Sequence, residues 1–95
     1  MSICFLCAVL FVAPGDYEVV SAETVSLIGN RYRLTATSLK MSLADGRRGF
    51  SGRVTGGEVV GADGRRWRLD LVPVIPGVVM MRVDECEWLV WVRRD

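Results

Sequence analysis

Residues 62–71 read Ala-Asp-Gly-Arg-Arg-Trp-Arg-Leu-Asp-Leu. Asp63-Gly64 is a hairpin dipeptide, because a type I′ turn needs positive φ at both central residues. Beyond it, Trp67, Leu69 and Leu71 fall on one side of an extended chain, and Arg66, Arg68 and Asp70 fall on the other. Alternation with period two predicts a half-buried strand. The same five residues, Ala-Asp-Gly-Arg-Arg, occur at 44–48 without similar flanks. They predict two similar turns rather than a duplicated unit.

Working outward, Asn30 to Thr37 (NRYRLTAT) alternates in the same way, with Tyr32, Leu34 and Ala36 opposite Arg31, Arg33, Thr35 and Thr37. Between the two turns lie Gly49, Gly52, Gly56, Gly57 and Gly61. Glycine at that density in a strand region predicts bulges and sharp bends, as when a small sheet coils into a barrel. Pro73 and Pro76-Gly77 interrupt the chain, Val78 to Val83 forms a strand, and Trp88 to Val92 forms the last. Asp16 to Ser26 (DYEVVSAETVS) is mixed and polar, and reads as a connector or a poorly ordered strand. No helical periodicity of useful length follows residue 27. The reading is all-β, about five strands, mostly a meander.

Composition narrows the chemistry. The chain has 95 residues, 51% hydrophobic and 24% charged, which suits one small globular domain. It contains no histidine, which removes Ser-His and Cys-His pairs and His-containing zinc sites. The glycine-rich stretch opens no helix, so it is not a phosphate cradle. Gly49-Phe50-Ser51-Gly52-Arg53 lacks the last glycine of a nucleophile elbow. Asp84, Glu85 and Glu87 cluster in a turn, where acids are ordinarily solvated. Catalytic residues, metal ligands and cofactors are not expected.

Ile3 to Ala13 (ICFLCAVLFVA) is an apolar run closed by Pro14-Gly15. It is shorter than the ~20 residues of a membrane-spanning helix. It fits a secretory signal in length but lacks a basic start. Its readings are a membrane or export segment, the tail of a longer hydrophobic segment, or a buried first strand. Cys4 and Cys7 lie inside this run and act as small hydrophobes. With Cys86 they make three cysteines, which argues against a disulfide scaffold. Charge is uneven: residues 29–68 carry nine basic residues against Asp45, Glu58 and Asp63. That excess reads as arginines alternating outward along exposed strands, with a surface facing phosphate or acidic lipid headgroups as the alternative.

The landmarks resemble a known family. Leu27-Ile28-Gly29-Asn30-Arg31-Tyr32, Gly56-Gly57-Glu58-Val59-Val60, Asp63 to Leu69, Ile75 to Val83 and Leu89-Val90-Trp91-Val92 are similar, in that order, to the soluble carboxy-terminal domain of NfeD-like membrane proteins. The resemblance implies a five-stranded OB-type barrel over 27–95, preceded by an apolar segment and linker over 1–26. It also implies a non-catalytic interaction module, membrane-associated, whose partner is a scaffold protein of the stomatin or flotillin type. A second copy of the chain is a further candidate partner. Trp88, Trp91, Arg66 and Arg68 are the candidate interaction surface. Trp88 and Trp91 are an odd number apart, so a regular strand sends them to opposite faces, whereas Trp67 is in register with Leu69 and reads as core. The alternatives are an exported or periplasmic small β-domain, an envelope protein or inhibitor, and an OB-type single-strand binder using Tyr32, Phe50 and Trp67 with nearby arginines. A formal net charge of +1 makes nucleic acid the disfavoured partner.

Overall fold

Alternation and turn chemistry produce a single antiparallel sheet. A computed structural model describes residues 12–82 and 87–94. Its strands are β1 (Gly15–Ala22), β2 (Arg31–Leu34), β3 (Ser38–Ser42), β4 (Arg48–Thr55), β5 (Glu58–Gly61), β6 (Arg66–Arg68), β7 (Asp70–Ile75), β8 (Val78–Arg82) and β9 (Trp88–Arg93). One 3₁₀ turn, Val25–Leu27, is the helical element among the described residues. The strand order is β6-β5-β4-β3-β2-β1-β9-β8-β7. Neighbours are consecutive in the chain except β1 and β9, whose pairing joins the two ends of the meander. The first and last strands of the order, β6 and β7, are separated in sequence by Leu69 alone, which is buried. The result is a nearly closed, barrel-shaped sheet. All-β is what the sequence predicts, but nine strands among the described residues replace the expected five.

The extra strands come largely from short hairpins. Gly56 and Gly57 both adopt positive φ and link the paired residues Thr55 and Glu58, a two-residue turn. Pro76-Gly77 links Ile75 and Val78 with Gly77 at φ +82°, the type II arrangement. The two Asp-Gly turns are alike, as expected, but they are not type I′. Neither aspartate has positive φ; only Gly46 and Gly64 do. In each, the glycine N–H donates to the carbonyl three residues back (Leu43 or Gly61), and the aspartate Oδ1 accepts from the N–H two residues ahead (Arg47 or Arg65). These are three-residue loops with the glycine taking the left-handed position.

The stretch read as a connector or a poorly ordered strand contains β1, a strand in mid-sheet. Gly15 to Glu18 pair with β2, and Tyr17 to Ala22 pair with β9. Among the described residues the sheet therefore begins at Gly15, ahead of the expected boundary at Leu27. Bulges leave Val20, Gly49 and Val74 without a partner in the ladder and bend the sheet. The inner face carries Tyr17, Val19, Tyr32, Leu34, Leu39, Leu71, Val79, Leu89 and Trp91, all buried. Trp91 lies at their centre, its ring stacked on Tyr32 at 4.7 Å and tilted against Tyr17 at 5.4 Å. Buried Asn30 accepts the Ala44 N–H on Oδ1 at 3.1 Å and so ties the β3–β4 loop to the start of β2.

Candidate functional site

The outer face of β7, β8 and β9 is apolar where a sheet facing water is ordinarily polar. Paired residues share a face, so the register defines it row by row. Val72, Met80 and Val90 form one row across the three strands. Ile75, Val78 and Val92 form the next. Asp70, Arg82 and Trp88 close one end of the patch, and Glu18 of β1, opposite Val92, borders the other. Val72 is 44% exposed, Met80 37% and Trp88 36%, while at the β7–β8 hairpin Val74 reaches 58% and Ile75 61%. Contiguous apolar surface of this kind is unusual on a sheet face turned to water. Pro73, which has no N–H to offer, sits in β7 at one end of the strand order. A strand adding along that edge would miss a hydrogen bond there, so docking through the face is favoured.

The hairpin also meets the entry of the chain. Tyr17 Oη donates to the Ala13 carbonyl at 2.6 Å. Ala13, Pro73, Val74, Ile75 and Pro76 line one groove. Ala13, the last residue of the apolar run Ile3–Ala13, thus lies beside an exposed apolar hairpin; Cys4 and Cys7 in that run lie outside the described residues, as does Cys86. No helix of the described residues is long and apolar enough to cross a membrane.

The four candidate residues do not form one surface. Trp88 is on the outer face, as the odd spacing requires, but Trp91 is fully buried and belongs to the core. Arg66 and Arg68 are exposed on β6, and Arg66 pairs with Glu58 at 3.2 Å. Trp67, expected in the core, is 38% exposed and meets Phe50 edge-on at 4.9 Å. Of the three aromatic residues named for nucleic acid, Tyr32 lies beneath the surface against Trp91. Arg31 and Arg33 project on the opposite face and pair with Glu18 and Asp16 at 3.8 and 2.8 Å. The Arg33 guanidinium, hydrogen-bonded to Asp16, holds that carboxyl below the ordinary value. Asp84 and Glu85 lie outside the described residues, and Glu87 accepts a hydrogen bond from the Thr24 hydroxyl at 2.8 Å. Sequence reasoning missed Val72, Val74, Ile75 and Met80. The available signal was the unbroken apolar text of 71–75 and 78–81, which alternation alone does not explain.

Burial raises the Tyr32 phenol above its ordinary value. Its neutral form is favoured by folding, so that contribution is complete below about pH 10 and is lost as pH climbs through the folded-state value. In an ultraviolet titration, Tyr32 is expected to ionise late, and Tyr32→Phe should remove that late phenolate. A parent protein with no phenolate titrating above the ordinary range would contradict the placement of this ring.

Comparison of the chain with protein-family models, curated proteins and solved structures returned no match.

Proposed function

We propose that the protein is a non-catalytic β-barrel interaction module held at a membrane surface, docking through the β7–β8 hairpin and the outer face of β7–β9. The observation that supports this reading is the shared groove of Ala13 with Val74, Ile75 and Pro76, which brings the last residue of the apolar run Ile3–Ala13 beside the exposed apolar hairpin. The resemblance to NfeD-like domains supplies the partner class, a scaffold of the stomatin or flotillin type. The OB-type assignment travels with that resemblance; a small antiparallel barrel bent at three bulges supports it.

Flotation of the full chain with phosphatidylcholine vesicles tests the membrane part. The parent chain should float, and Val74→Asp with Ile75→Asp should weaken partitioning at least ~10-fold, since burial of one such side chain contributes ~1.5–3 kcal/mol. Both side chains are more than half exposed, so far-ultraviolet circular dichroism should not change. A double variant that floats as well as the parent would assign attachment to the leader and remove the hairpin from the docking side. Failure of the parent to co-purify with a membrane-embedded stomatin-type scaffold would remove that partner.

A further inference from the structure

The inside of the barrel holds a second feature, independent of the docking face. Tyr32, Met41, Phe50, Trp67, Leu69 and Met81 border a pocket of about 250 Å³. Its lining runs from β2 across β3, β4, β5 and β6 to Leu69 and then Met81 of β8, and the end strands of the sheet, β6 and β7, do not pair. Two glycines make room for its aromatic wall. Gly52 and Gly61 are paired with each other, and Gly52 is paired with the buried Leu39, so both face inward. A Cβ on Gly52 would meet the Phe50 ring at 3.0 Å, and one on Gly61 would meet the Trp67 ring at 3.1 Å. The two rings thus lean over a floor that has no side chains, and their perpendicular contact fixes them. Met41 and Met81 supply adaptable walls.

The lining selects a ligand class. Its charged residue, Arg68, follows Trp67 on β6, and strand alternation points it to the other face. Tyr32 has a hydroxyl with no hydrogen-bond partner among the described residues, although the ring is buried. An apolar cavity of ~150 Å³ takes benzene, so this larger one has room for two fused rings. We propose that the pocket binds an uncharged, planar one- or two-ring aromatic molecule with one hydrogen-bonding group, which the Tyr32 hydroxyl meets.

The protein supplies its own reporters. Met41 and Met81 border the pocket, whereas Met80 lies on the outer face. In the full chain labelled at methionine methyls, 2-naphthol should move the Met41 and Met81 resonances saturably through ring currents and leave Met80 in place. Trp67→Ala should weaken that binding at least ~10-fold; as a half-exposed residue on a terminal strand it can be removed with the fold intact. Tyr32→Phe keeps the ring and should weaken 2-naphthol ~3- to 10-fold while leaving naphthalene unaffected. Non-saturating shifts, or shifts centred on Met80, would overturn the proposal. Equal losses for naphthalene and 2-naphthol in Tyr32→Phe would overturn the role given to the hydroxyl.

Discussion

Trp91→Ala is expected to abolish or nearly abolish cooperative folding. The side chain is the largest of those fully buried, and it touches both core tyrosines. Its strand neighbours Val19 and Val79 are themselves buried, so the cavity left behind opens at the meeting of β1, β8 and β9. Truncating a buried tryptophan costs about 3–5 kcal/mol, against a total stability of ~5–15 kcal/mol for a whole domain and the low end for one this small. β1 with β9 is also the junction that joins the two ends of the meander, so loosening it exposes two arms of the sheet together. Trp91→Phe should be much milder. The indole Nε1 is buried with no partner among the described residues, and a buried unsatisfied donor costs ~1–3 kcal/mol. Phenylalanine keeps most of the ring contact and removes that donor. Urea unfolding followed by circular dichroism, with Trp88→Ala as the exposed control, measures all three. A Trp91→Ala midpoint equal to the parent's would mean that this ring does not organise the core.

Why some of this was legible in the sequence and some was not follows from what interrupts alternation. Arg31-Tyr32-Arg33-Leu34 reads as a strand because its faces differ, and the structure buries only Tyr32 and Leu34. Odd spacing separated Trp88 from Trp91 for the same reason. β1 reads no more firmly than as a connector or a poorly ordered strand, because the bulge at Val20 shifts register between Val19 and Ser21 and its text does not keep period two. Alternation alone does not reveal β4 or β5, because Gly52 and Gly61 occupy inward positions where apolar residues are expected; β5 is reached only through the resemblance of Gly56 to Val60 to a glycine-led strand. Trp67 kept its register with Leu69, but it lies on a terminal strand and therefore stays half open. The face proposed for docking left a different signature: Val78 to Met81 and Leu89 to Val92 are apolar on both faces, and only the structure shows that one of those faces is left partly exposed by the described residues.

Gly52→Ala should be the most damaging single-methyl change in the chain. No backbone strain is involved, since Gly52 is not among the positive-φ glycines. The obstacle is space. The added Cβ would run into Val59 Cγ1 at a separation real Cβ atoms do not show, and it would lie 3.0 Å from the Val60 carbonyl oxygen. Val59 is 2% exposed and has no room to turn aside, and the carbonyl belongs to the β4–β5 ladder. Overpacking of this kind costs about 1–3 kcal/mol. Gly49→Ala offers a contrast, because the atoms its Cβ meets first are the sulfur and terminal methyl of Met41, which can swing away. It should cost clearly less. Val59→Ala removes the blocking methyl, so Gly52→Ala and Val59→Ala together should destabilise by less than their separate losses combined, with a coupling of ~0.5–3 kcal/mol. The rescue should stop short of complete, because the Val60 carbonyl remains. Strict additivity in urea midpoints would mean that β4 and β5 do not approach closely at Gly52, and the floor on which Phe50 and Trp67 rest would go with it.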